Sequence, residues 1–282
     1  MIGFINVNKP LGLTSAQVVA RVKRILHLDK TTKVGHTGTL DPQACGVLPV
    51  AIGKATRLFD FMLSKTKEYE AEFTFGYETD TLDSAGKVIN SSEKIPTLDD
   101  VNCMLSSFIG KIDQLPPMYS AKSVNGKRAY DMARSGKQVN LTPCKVEINE
   151  FHVLSHKGSS VLFKIVCGSG TYIRALCRDL AHSLGAFATM TKLTRTRAGV
   201  FCIDSAVSLD SLTPASILPC EIVLGKLDSL NVDKTIVSKL KCGQMVDFST
   251  QKQSPFKVYC NDELIGLGES VNNNLKIKIW LS

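Results

Sequence analysis

The sequence predicts an α+β fold: a mainly antiparallel mixed sheet with flanking helices, followed by a small β-rich C-terminal domain. Three observations carry this. In KEYEAEFTFG the apolar residues alternate with period two, Tyr69, Ala71, Phe73 and Phe75 on one face and Glu68, Glu70, Glu72 and Thr74 on the other, which is a half-buried strand. Strand-like segments occur in hairpin-like pairs and alternate irregularly with helical ones, without a βαβ repeat. After Pro214 and Pro219 the texture changes to short strand-like pieces separated by polar turns.

Taken in order, TSAQVVARVKRILHL (14–28) opens on hydroxyl residues suited to an N-cap and sets Val18, Val22, Ile25 and Leu26 on one helical stripe. Thr97 with Asp100 three residues on forms a capping-box pattern ahead of Val101, Met104, Leu105 and Phe108, a second helix. KVEINEFHVLS and SVLFKIVCG read as strands joined by a Lys-Gly-Ser turn. TYIRALCRDLAHSLG spaces Ile173, Leu176, Cys177, Leu180 and Leu184 as a helix with Gly185 just past its end, and puts Arg174, Arg178 and Asp179 largely on other faces. In the tail MVDFS, FKVYC, LIGLGES and LKIKIWL are strand-like, and the domains are expected to be 1–224 and 225–282.

The 282 residues, 44% hydrophobic and 21% charged, are enough for one large domain or two unequal ones. No apolar run is long enough to span a bilayer, and MIGFINVNKP lacks a basic region followed by an apolar one, so a soluble cytoplasmic protein without membrane partners is expected. The nine cysteines are scattered with no CxxC pair, which argues against structural zinc and fits a reducing compartment. The five histidines have no metal-ligand spacing, and no metal is expected. A formal net charge of +8 favours a polyanionic partner.

One nucleotide-binding signal fails. Between Gly46 and Gly53 lie six residues where a P-loop has about four, and Ala55 stands where the magnesium-binding hydroxyl belongs. What remains is Asp41 in a glycine- and threonine-rich turn, with Tyr69, Tyr172 and Arg174. Read locally, each has an ordinary role. An Asp before Pro caps a turn, a strand Tyr packs, Tyr172 anchors a helix start, Arg174 is a solvated charge, and His36 beside Gly35 is a loop residue.

Taken jointly the motifs are specific. GHTGTLDPQACGVLPVAIGKATR closely resembles the signature of the bacterial tRNA pseudouridine-55 synthases, the TruB family, whose catalytic Asp sits in a GHxGxLDP-type sequence. NVNKPLGLTS, KEYEAEFTFGYETDTLDSAG, PPMYSAKSVNGKRAYDMARSG, GSGTYIRALCRDLAHSLG and TKLTRTRAGVF resemble the family's other blocks, in order, over residues 2 to 213. The tail resembles a shortened PUA-like RNA-binding module. One local departure is that Lys122 directly follows Ala121, with Ser123 at the family's usual Lys position.

The resemblance implies a pseudouridine synthase fold and isomerisation of uridine 55 in the T loop of tRNA. This reaction detaches uracil, rotates it and rejoins it through C5, so no cofactor is expected. By resemblance Asp41 is the catalytic carboxylate, Arg174 its ionic partner and Tyr69 the platform for the flipped base. His36, Tyr172, Leu193, Lys9 and Asp83 are carried over as substrate contacts, Lys9 with backbone support as an alternative role. The T arm of tRNA is the expected partner and a monomer the expected state. A tRNA-folding role is compatible with the same surface. The competing class is a non-catalytic RNA-binding or RNA-folding protein, against which a carboxylate facing an anionic ligand argues, because it would repel phosphate.

Overall fold

The computed structural model describes the chain apart from residues 64–65, 120–122, 125–126, 129–140, 226, 249–251 and 253. The Lys122 departure falls outside the described residues; Ser123 begins a two-residue strand paired with Lys127–Arg128.

A nine-stranded sheet organises residues up to about 202. Its main order is Gly3–Lys9, Ala44–Ile52, Ala188–Ala198, Lys67–Phe75, Ser160–Cys167, Cys144–Lys157 and Gly110–Gln114, with Val34–His36 and Phe201–Cys202 attached at the side. All pairings are antiparallel except Ala44–Ile52 with Ala188–Ala198. The alternating strand Lys67–Phe75 lies at the centre and buries Tyr69, Ala71, Phe73 and Phe75, as its period predicts.

The helices match their sequence signals closely. Thr14 caps Ser15–Ile25 in a reciprocal capping box with Gln17. The helix stops three residues before the predicted end because Leu26 is the C-cap and His27 turns to a positive φ of 49°. Thr97 and Asp100 form the predicted capping box on Leu98–Leu105, although Phe108 lies beyond it in a 3₁₀ turn. Gly185, at φ 65°, follows the C-cap of Ile173–Ser183. Val18, Val22, Leu176 and Leu180 from these helices pack into one core with Phe73 and Phe163 of the sheet.

The tail is a separate five-stranded sheet in the order Ser229–Asn231, Phe256–Cys260, Glu263–Val271, Asn274–Trp280 and Val246–Asp247. It also holds a helix absent from the sequence expectation, Lys234–Lys241, capped by Asp233. Its own core gathers Val237, Leu240, Phe256 and Val258. A second apolar cluster joins the two sheets: Leu267 and Leu281 of the tail pack with Phe4, Leu58, Met62, Phe201 and Leu224. Arg57 Nη1 donates to the Trp280 carbonyl at 2.8 Å, and Lys54 Nζ donates to Ser282 O.

Candidate active site

The turn bearing Asp41 is built from both sides. Gly38, at φ 107°, supplies a backbone conformation that L side chains rarely adopt. Ser15 Oγ, buried at the start of the first helix, accepts from Leu40 N at 2.8 Å and donates to Leu40 O at 2.9 Å. Gly12 N donates to Pro42 O at 2.8 Å, and Ala44 N to Asp41 O at 3.0 Å. The backbone is therefore held on both flanks while the Asp41 side chain stays 38% exposed.

Arg174 meets it from the first turn of Ile173–Ser183. Its Nη2 lies 2.7 Å from Asp41 Oδ2. The same guanidinium donates to the carbonyls of Thr81 (2.9 Å) and Tyr119 (3.1 Å), and its Nη1 is 3.7 Å from Asp83 Oδ2. The sequence assignment of Arg174 to a face away from the core is thus corrected: only 6% of the residue is exposed, because carbonyls and two carboxylates replace its water. The residue before this helix is pinned by buried Gln114, whose Oε1 accepts from Tyr172 N (2.8 Å) and whose Nε2 donates to Tyr172 O (3.1 Å).

These groups border a cavity of about 240 Å³. Asp41, Tyr69, Tyr172, Arg174 and Leu193 all line it, together with Lys67 and Arg195. Tyr69 is placed by the central strand, where it lies opposite Arg195, and Leu193 sits two residues before Arg195 on the neighbouring strand. Burial pushes the Tyr69 phenol above its ordinary range, so it meets the cavity as a neutral ring. Such a slot, with two tyrosines, a leucine and one anchored carboxylate, suits a planar heterocycle.

Three carried-over contacts fall elsewhere. Lys9 makes the backbone contacts of its alternative role. It is fully buried, outside the cavity lining, and its Nζ donates to the carbonyls of Pro10 (2.9 Å) and Leu13 (2.6 Å). Burial lowers its pKa from 10.5 to about 8, against the pull of nearby Cys45 and Asp41. Asp83 is 6% exposed, and its Oδ1 accepts from Thr81 Oγ1 (2.6 Å) and Ala85 N (3.1 Å) while Oδ2 faces Arg174 at 3.7 Å. His36 is half-buried on the edge strand just before the turn, outside the cavity lining, with a buried Nδ1 that has no partner among the described residues. Burial, assisted by Arg195, lowers the pKa of its imidazole.

The residues that sequence reasoning missed are Lys67, Gln114 and Arg195. Two of them carried a signal: positions i and i+2 of a strand share a face, so Tyr69 implies Lys67 and Leu193 implies Arg195. Gln114 had none. Among the described residues no His, Cys, Asp or Glu cluster could hold a metal ion, and no helix is long and apolar enough to cross a membrane.

The comparisons with known proteins agree with this geometry. Residues 23–173 match the family described as TruB family pseudouridylate synthase (N terminal domain), and 174–225 match the tRNA pseudouridylate synthase B C-terminal domain. The chain is 39% identical to the tRNA pseudouridine synthase B of Clostridium novyi over 291 residues, covering 99% of each. It is also 39% identical to that of Clostridium tetani, covering 98% of each. A solved H/ACA RNP bound to a substrate RNA containing 2′-deoxyuridine is similar at TM-score 0.70 and 25% identity, over 99% of this chain and 85% of that one. A Cbf5–Nop10–Gar1 complex is similar at TM-score 0.70 and 27% identity, over 98% and 84%. With an Asp–Arg pair and a tyrosine at one cavity and the match running through nearly the whole chain, the protein belongs to the TruB family of pseudouridylate synthases.

Proposed function

We propose that this protein isomerises uridine to pseudouridine at position 55 in the T loop of tRNA, with Asp41 as the catalytic carboxylate. The carrying observation is the 2.7 Å contact of Asp41 with Arg174 at the mouth of a cavity lined by Tyr69, Tyr172 and Leu193. The name shared by the full-length relatives supports the reaction and the substrate.

The target uridine leaves its stack, at a cost of a few kcal/mol, and enters the cavity, where the Tyr69 ring offers a stacking face and Leu193 and Tyr172 bound the slot. Arg174, held by two carbonyls and backed by Asp83, orients the carboxylate and offsets its charge as RNA phosphates approach. Asp41 then holds the separated fragments while the base turns. The isomerisation exchanges no electrons with an outside reagent, so these side chains suffice in principle.

The tail from 225 to 282 acts in this proposal as a PUA-like RNA-binding domain, and the protein works as a cytoplasmic monomer. The separate five-stranded sheet supports the first, and the nine scattered cysteines without a CxxC pair support the cytoplasmic setting. A purely RNA-binding role would leave a cavity-facing carboxylate without a task. The test is to incubate the purified protein with unmodified tRNA and map pseudouridine. Modification at position 55 is expected, and its absence in RNA that a known synthase can modify would overturn the proposal.

A further inference from the structure

Arg195 breaks the usual rule for buried charge. It is 1% exposed, yet its side chain lines the cavity. Its Nε donates to Val47 O at 2.7 Å and its Nη2 to Gly38 O at 3.1 Å. Both partners are neutral carbonyls, and among the described residues no carboxylate is ion-paired with it. Among the described lining residues the one carboxylate, that of Asp41, is already engaged by Arg174. These residues thus include three cationic side chains, Lys67, Arg174 and Arg195, and one anionic side chain. A guanidinium buried without a counter-charge is costly to the fold, and such groups cluster where a charge of opposite sign arrives during function.

The position of Arg195 says where that charge must arise. Arg195 lies opposite Tyr69 in the antiparallel ladder, and its guanidinium adjoins the Tyr69 hydroxyl. Its two carbonyl bonds fix it against the strand Ala44–Ile52 and the catalytic turn. Closeness there is enforced by Gly46, where a Cβ would lie 2.3 Å from the Arg195 carbonyl oxygen. A ring stacked on Tyr69 therefore sits beside a cation that has no reorganising to do, the arrangement that stabilises developing charge best.

We propose that Arg195 is a further catalytic residue, which stabilises the negative charge developing on the uracil ring while it is detached from the sugar. This deepens the proposed function and rests on it. When Asp41 adds to C1′, the C1′–N1 bond breaks and its electron pair stays on uracil, delocalised over N1, O2 and O4. C5 then displaces the carboxylate from C1′, the C5 proton leaves to solvent and N1 takes up a proton, so composition and charge are restored. Addition of Asp41 to C6 instead drives the C5–C6 π pair toward O4; C5 then bonds to C1′ as the C1′–N1 pair passes to N1, N1 takes up a proton, and loss of the C5 proton expels the carboxylate from C6. Both routes make the base anionic beside Arg195.

The test separates this role from a merely structural one. A T-arm stem-loop lacking the target base is bound to the protein, and free uracil or 5-nitrouracil, which is ionised at neutral pH, is titrated in by calorimetry. The wild type is expected to take the anion about tenfold or more tightly than uracil, the ratio given by one charge-assisted hydrogen bond. Arg195→Gln loses the preference, while Arg195→Lys, which keeps the charge, retains it in weakened form. Equal affinities in the wild type overturn the proposal, as does an undiminished preference in Arg195→Gln. Should Arg195→Gln not fold, the Lys variant decides: a preference unchanged from wild type overturns the role. Conversion of a uridine-bearing stem-loop, measured on the same preparation, checks the underlying reaction. Conversion without anion preference sinks the role of Arg195 alone.

Discussion

In the proposed reaction Asp41 and Tyr69 divide the work at the residue scale between a charge and a face. Asp41→Asn keeps shape and hydrogen-bonding capacity but removes the nucleophilic charge. It is expected to bind tRNA nearly as wild type while turnover is abolished, measured as equilibrium binding and single-turnover conversion in one preparation. Conversion near the wild-type rate would make Asp41 a turn residue. Tyr69→Ala deletes the proposed stacking platform, worth about 1–3 kcal/mol, without touching residues proposed to meet phosphate, so modification is expected to fall far more than RNA affinity. Unchanged activity would mean that Tyr69 only packs in its strand. Lys9 yields a pH effect with a definite sign. With its folded value at about 8 and its ordinary value at 10.5, the unfolded chain binds more protons between the two, so the contribution of Lys9 to stability rises with pH across that window. Denaturation of wild type and Lys9→Met should show their difference moving in favour of wild type from about pH 8 upward; a flat difference would refute it.

At the scale of elements, the site is a meeting of ends. The first helix gives Ser15 to the turn that carries Asp41, and the helix Ile173–Ser183 gives Arg174 from its first turn. Ser15 is 2% exposed, so Ser15→Ala leaves the Leu40 N–H buried without its partner, at a cost of about 1–3 kcal/mol. Because Leu40 adjoins Asp41, the expected outcome is a lower single-turnover rate together with lower stability to denaturant. A stability loss with an unchanged rate would show that the turn is held by its other contacts.

At the scale of the molecule, the two sheets share apolar surface, and that decides what a truncation does. Every described residue lining the cavity lies at or before Arg195, so a chain ending at Leu224 retains the whole described lining. Its loss is elsewhere: Leu267 and Leu281 cover Phe4, Leu58 and Phe201, and each large side chain so buried contributes about 1.5–3 kcal/mol. The truncated chain is therefore expected to convert a T-arm stem-loop while melting at lower temperature and aggregating more readily. It should also bind full-length tRNA more weakly and with a shallower salt dependence, since fewer phosphates are neutralised. Circular dichroism, single-turnover assays and salt titrations check this; a folded truncation inactive on the stem-loop would show that the tail helps to build the cavity.

What the sequence determined by itself was whatever depends on neighbours along the chain. The period-two strand 67–75, the capping boxes at Thr14 and Thr97 and the glycine stop at Gly185 were legible because backbone preference and side-chain direction are local. The motif resemblance further singled out Asp41, Tyr69, Tyr172, Arg174 and Leu193, which the fold gathers around one cavity. Tertiary structure alone decided the rest. The polar run Ala188–Ala198 becomes an inner strand because two neighbouring strands satisfy its backbone, a pairing that nothing within the segment encodes. Lys9 and Asp83 occur in blocks resembling the family's yet face inward, since exposure depends on what packs over a residue. Arg174 and Arg195 look like surface charges in sequence. Their burial follows from carbonyls that arrive from Thr81, Tyr119, Val47 and Gly38, groups whose distance along the chain only folding removes.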